Sequence, residues 1–430
     1  MSHLKRNSAL YKVVIAHYLA AAICFLILSI LFFFSIEEFS MHYFQPKILA
    51  VTHVAVLGWG TLMIFGALYQ LLPVILETEL YSIRMCWISL ALFIPGMTFL
   101  VCSFWVFDTG ICMQAGGLSL LTAIIIFSLN VYFTVQKKNQ SSVYQEFIIT
   151  ACIWLTLTAL FGLLLVFNFH YAFLSKSHLQ YLRLHAHMGI VGWFLILIIG
   201  ISAKLIPMFL VSKYQSNKLL WYSYYLINGS LLWFLVDGYQ HGIHTTTYII
   251  FCFGAAGIVT YLAYVYKCFS SRLRSRIELP MVKTFLSVAF LGLAVVIVPV
   301  IIYYHEKNNG IAVELSKIYG FLLIIGWIST LILGQTFKTL PFIVWVKHYE
   351  HLTGKVKTPL PADLINQTLL YTQYISFGIF LPAFFTGLLL SSWLFKFIGI
   401  CSLLITALSY LMNIIFLLSH KTKTEHYARI

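Results

Sequence analysis

Apolar positions in this chain neither alternate as in a half-buried strand nor keep to one stripe as on a surface helix. They come in long runs, broken by short polar bridges. The runs fall at 12–35, 47–76, 83–107, 111–135, 146–168, 181–211, 218–236, 246–267, 283–304, 315–346, 367–392 and 396–419. Each is close to or beyond the roughly 20 residues that carry a helix across a bilayer. A helix is also the element that satisfies its own backbone hydrogen bonds in hydrocarbon. The pattern therefore predicts an all-α polytopic membrane protein with twelve transmembrane helices. The connections are too short for a further domain, so residues 1–430 read as a single membrane domain. The first run is too long, and too poor in small residues at its end, for a cleaved signal peptide.

Composition agrees. Hydrophobic residues make up 61% and charged residues 9%, with a mean hydropathy of +0.91. Soluble domains run at about 45–50% and about 25%. A water-soluble enzyme, a disordered chain and a disulfide scaffold are excluded. The formal charge of +14 would suggest nucleic acid in a soluble protein. Here it belongs to helix rims, so the expected partner is the lipid bilayer and not nucleic acid. Nineteen Lys and Arg fall on the side of the N-terminus, against six on the other: Lys47, Lys176, Arg183, Lys307, Lys317 and Lys396. The positive-inside rule makes both termini cytoplasmic. The eight cysteines stand singly, without C-x-x-C or C-x-x-C-H, so zinc, thiol redox and covalent haem attachment find no support.

The chain repeats itself. The second run reads HVAVLGWGTLMIFGALYQLLP from His53, the sixth HMGIVGWFLILIIGISAKLIP from His187, and the tenth FLLIIGWISTLILGQTFKTLP from Phe321. Gly58-Trp59, Gly192-Trp193 and Gly326-Trp327 recur at 134 residues, as do Gly66/Gly200/Gly334, Gln70/Lys204/Lys338 and Pro73/Pro207/Pro341. Three copies of a four-helix unit, near 10–140, 144–274 and 278–408, are expected about a pseudo-threefold axis. Glycines at these positions let helices approach closely in lipid. The prolines are expected at cytoplasmic helix ends, and Lys204 and Lys338 can snorkel there.

Histidine is the ionisable residue of this membrane interior: the chain holds 15, and the runs contain almost no Asp or Glu. His53 and His187 share one slot of the repeat, roughly 9 Å inside the outer rim at 1.5 Å per residue. Matched depth is what two axial ligands of one haem iron need. The alternative is an ordinary hydrogen bond to a carbonyl or a neighbouring helix. The third copy holds Phe321 in that slot. His185 stands two residues before His187, about 200° away around a helix, so the two histidines face different sites. Arg183, one turn above His187, is placed to meet a haem propionate, or else anchors the helix end. Lys317 fills its slot in the third copy. His17 has no histidine counterpart. His241-Gly-Ile-His244 could hold copper or zinc if helical, with no carboxylate companion in view. His348, His351, His420 and His426 read as cytoplasmic and solvated.

These residues carry a resemblance. Twelve helices in three four-helix units, with H-A-H-M-G-I-V-G-W on the sixth and G-A-L-Y before Pro73 on the second, resemble subunit I of the haem–copper oxidases, the cbb3-type branch above all. The resemblance implies haem b, one group or two, in a bacterial inner membrane. It makes His185 like the high-spin haem ligand, His187 like the low-spin ligand and His53 like the opposing axial ligand. Whether His53 pairs with His187 or with His185 stays open. The family carries its H-x-H on helix 10, whereas here it stands on helix 6. The copper centre is incomplete: no His-His pair exists, and no histidine is embedded in helices 7–12. A divergent, NnrS-like member fits better, an oxidoreductase-like protein that transfers electrons from a cytochrome or quinol donor or handles nitric oxide. The alternative is a copper or small-solute permease without haem.

Overall fold

A computed structural model describes residues 2–138, 142–273 and 279–422. Of the cations counted with the N-terminal side, Arg274, Arg276, Lys423 and Arg429 lie outside the described residues, as does His426. The described chain is almost entirely helical and holds twelve helices long and apolar enough to cross a membrane. They are α1 (Ala9–Phe34), α2 (Pro46–Leu76), α3 (Ile83–Val106), α4 (Ile111–Val135), α5 (Val143–Tyr171), α6 (His178–Leu210), α7 (Lys218–Gln240), α8 (Thr246–Ser270), α9 (Leu279–Glu306), α10 (Ile311–Leu352), α11 (Gln367–Leu389) and α12 (Trp393–Leu418). This is a multi-pass membrane protein.

Local chemistry sets the helix ends. Ser82 and Ser177 accept from Met85 N and Gln180 N, both at 3.3 Å, and Asn366 accepts from Leu369 N at 3.1 Å. Each meets one of the amides that a first turn leaves unpaired. Pro46 opens α2, where a missing N–H costs nothing. The repeat prolines do not all mark ends. Pro341 lies well inside α10, which runs on to Leu352. There Trp345 Nε1 donates to Pro359 O at 2.7 Å and ties the extension down.

Three helices depart from α geometry at one register. Over Val54–Thr61 in α2, Met188–Leu195 in α6 and Leu322–Ser329 in α10 the backbone widens into π-helix. The three segments have equal length and start 134 residues apart. Each encloses a Gly-Trp pair whose indole is buried: Trp59, Trp193 and Trp327 are at most 1% exposed. Thr61 Oγ1 and Ser329 Oγ donate five residues back, to Val56 O at 2.8 Å and Ile324 O at 2.9 Å. Such segments are rare and concentrate at functional sites.

The chain divides into two compact units. The first comprises residues 1–70, 278–291 and 320–430; the second comprises 71–277 and 292–319. In the first, Phe25 stacks on Trp59 at 4.4 Å, and Trp59 Nε1 donates to Ser329 Oγ at 3.1 Å. Lys396, counted above as a rim cation, is buried in this unit. Its ammonium donates to Ile36 O at 2.9 Å and to Ser40 Oγ. In the second, α3 and α4 close on small residues: a Cβ at Gly96 would lie 3.0 Å from Gly116 O, and one at Gly116 2.9 Å from Gly96 O.

The repeat glycines pack alike within their units. Gly66 faces the Cβ of His17, Gly200 that of Phe147, and Gly334 that of Lys283. One level higher, Gly192 faces Trp154 and Gly326 faces Phe290. A Cβ at Gly192 would sit 2.6 Å from Trp154 Cγ, and that indole is held by a 2.9 Å bond from Nε1 to Asn228 Oδ1. It cannot yield. Gly192→Ala is therefore expected to destabilise by about 1–3 kcal/mol through overpacking. Gly378→Ala, in α11 where a Cβ meets nothing within 4 Å, is expected to be neutral or stabilising by up to about 1 kcal/mol. Thermal unfolding of the two variants in detergent checks the contrast.

Candidate functional site

The slot shared by His53, His187 and Phe321 is in each case the residue immediately before the π-helical segment. His53 Nδ1 lies 2.7 Å from Leu49 O, and His187 Nδ1 2.8 Å from Arg183 O. A carbonyl can only accept, so in both rings Nδ1 carries the proton and donates. The lone pair of each neutral ring is then on Nε2. A backbone carbonyl on one ring nitrogen is a contact that metal-ligating histidines commonly make. This donor chemistry fits haem iron, which takes neutral imidazole.

The candidate residues are divided between the units: His53 belongs to the first, and Arg183, His185 and His187 to the second. Within the second unit the two neighbouring histidines diverge, as their spacing requires. His185 turns to α5, where a Cβ at Gly162 would come within 2.8 Å of its Cε1 and Phe161 lies 6.3 Å away, ring to ring. His187 turns instead to Phe234 of α7 at 4.8 Å, and stacks at 6.2 Å with Tyr319 of α10. They cannot serve one metal from one side.

Arg183 makes no ion pair among the described residues, and its charge acts on His305 at the end of α9. Its counterpart is committed elsewhere: Lys317 Nζ lies 2.8 Å from Glu314 Oε2, one turn away. The equivalent of Glu314 in the second copy is Gln180, whose amide donates to Gly238 O at 2.8 Å. The third slot itself is filled. Phe321 is 7% exposed and packs against Phe380 and Phe384 at 6.0 and 5.5 Å. Lys204, at the far end of α6, lies 5.9 Å over the ring of Tyr144.

Three groups were underread in the sequence. His17 is fully buried, with Nδ1 at 2.7 Å from Val13 O and its ring edge-on to Tyr69 at 5.2 Å. Its Nε2 has no hydrogen-bond partner among the described residues. His420, read as solvated, has Nε2 2.9 Å from Tyr349 OH and its ring 5.5 Å from His348. The His241-His244 pair does have a carboxylate companion, Asp237, and forms with it the one cluster of three metal-ligating side chains among the described residues. The segment between the two histidines is a turn, with Gly242 at φ +77°, and not helix. The missed signal was the i, i+4 spacing from Asp237 to His241.

No protein-family model matches this chain, and no curated protein matches it.

Proposed function

We propose that this chain is a haem-binding redox protein of the bacterial cytoplasmic membrane, with both termini cytoplasmic, on a scaffold like that of subunit I of the haem–copper oxidases. The scaffold is three four-helix repeats, and the reading makes His53 of the first unit and His187 of the second each a candidate ligand of haem b. The observation that carries it is the shared state of these two side chains. Both precede a π-helical segment at the same register, and both have Nδ1 tied to the carbonyl four residues back. His17 has the same backbone bond but stands at no such junction. The third copy, with an aromatic plug at Phe321, supplies no ligand.

Haem bound there supplies one-electron chemistry, to a partner cytochrome or quinol or to a small gas such as nitric oxide. This chain's residues hold the rings in one tautomer, exclude water with the buried indoles, and provide a cation for a propionate. Arg183 suits that last task, because a guanidinium fork binds a carboxylate through two hydrogen bonds. A haem carboxylate left unpaired in hydrocarbon would be costly.

The purified protein, oxidised and then reduced with dithionite, is expected to show a low-spin b-type spectrum. His53→Ala and His187→Ala are each expected to abolish it. His17→Phe, which copies into the first repeat the residue that the second holds against its glycine, is expected to leave it intact. A colourless protein from haem-replete cells, or two unchanged single variants, would sink the reading.

Arg183→Gln is expected to shift the midpoint potential or hasten haem loss, while Lys317→Gln does neither, since Glu314 already holds that charge. Redox titration of the two variants decides it. Equal effects, or none, would make Arg183 a helix-end anchor.

A further inference from the structure

We propose a second, independent site: Asp237, His241 and His244, at the turn between α7 and α8, bind a divalent transition-metal ion through two imidazole nitrogens and a carboxylate. The site does not rest on the haem reading.

The local fold assembles it. Asp237 stands on the last turn of α7, and His241 caps that helix through a 2.8 Å bond from its N to Asp237 O. Gly242 then takes φ +77°, a backbone state that favours glycine. That reversal brings His244 back toward the helix end. There His244 N donates to Thr247 Oγ1 at 3.1 Å, at the opening of α8. Asp237 to His241 spans one helical turn, while His241 to His244 spans the glycine turn.

Distances suit the ion. His241 Nδ1 lies 3.3 Å from Asp237 Oδ1, and His244 Nδ1 3.6 Å from Oδ2. All three ligand atoms fall within 4.8 Å of one another. Metal–ligand bonds of about 2.0–2.1 Å around a tetrahedral ion put neighbouring ligand atoms about 3.3 Å apart. The cluster is therefore close to coordination spacing.

Burial points the same way. Only 12% of the Asp237 side chain is exposed, and Oδ2 is buried with no hydrogen-bond partner among the described residues. A desolvated carboxylate oxygen without a hydrogen bond is costly, and a cation held by both histidines offsets that cost. The histidines are 59% and 37% exposed on their side chains. An ion can enter from water, and water can complete its shell. Thr245 Oγ1 donates to Glu306 Oε1 at 3.4 Å, which adds a second carboxylate to the neighbourhood. Two nitrogens and one oxygen favour zinc or copper(II) over magnesium or calcium, which prefer all-oxygen shells.

The test uses the full-length protein in detergent, stripped with chelator and monodisperse on size exclusion. Zinc is titrated against a chromophoric competitor, and copper(II) is read by electron paramagnetic resonance. One zinc per chain is expected, with affinity lowered at least about tenfold in Asp237→Asn and in His244→Ala. His170→Ala, at the end of α5, should leave it unchanged. The copper spectrum should lose one of two nitrogen couplings in His241→Ala. Two hydrogen-bonded imidazoles without a metal role predict instead no zinc uptake, or uptake equal in wild type and all variants. Either result would overturn the proposal, whether or not the protein carries haem.

Discussion

Every backbone amide and carbonyl in a membrane span must find its partner inside the protein, because hydrocarbon offers none. The rest of this structure follows from that constraint. It makes the spans helical, and it restricts how a helix can deviate. The π-helical segments of α2, α6 and α10 widen the helix while keeping its backbone bonded, and the freed side-chain hydroxyls of Thr61 and Ser329 reach the wider turn's carbonyls. Once helices are fixed, apolar lipid gives little reason for them to associate. Close approach must supply it, which is where the repeat glycines enter. Gly66, Gly200 and Gly334 each accept the stem of a side chain, from residues as different as histidine, phenylalanine and lysine. What is preserved across the copies is the space, not the chemistry that fills it.

That distinction explains what the sequence revealed. Long apolar runs identify spans without reference to packing, and the twelve helices lie within a few residues of the expected stretches at most ends. The 134-residue period was visible because glycine and tryptophan are sparse and mark positions sharply. The π-helical segments were invisible, since reading a helix at 3.6 residues per turn assumes the geometry that these segments break. Pro341 misled for a related reason: a proline can sit inside a span when its neighbours restore the lost bond. Lys396 keeps its place at a helix end, three residues into α12, but its burial could not be read, since it depends on Ile36 O and Ser40 Oγ of the α1–α2 connection.

The candidate site was legible only as residue types. Slot-sharing by His53 and His187 could be read, and so could the divergence of His185 from His187. Neither the tautomer nor the junction with the π segment could be, because both depend on backbone carbonyls. Asp237 does not stand inside the His-Gly-Ile-His motif, and its part in the cluster depends on where the helix ends. The companion lies a turn earlier, on the other side of a helix end.

The third copy shows what a slot becomes when it has no polar task. An imidazole at that depth ties one nitrogen to the backbone, as His53 and His187 do, and its second nitrogen is a further polar atom that an apolar interior must satisfy. Phe321 avoids the problem by joining Phe380 and Phe384 in an aromatic cluster. Arg183 and Lys317 repeat the argument for charge. The lysine above the phenylalanine is neutralised by Glu314 within its own helix. The arginine above the histidine makes no ion pair among the described residues, and Gln180, in the slot that Glu314 fills, bonds to α7 instead. The third copy thus replaces the histidine and pairs its cation internally, while the second keeps both a histidine and an arginine with no ion pair among the described residues, so the two positions change together.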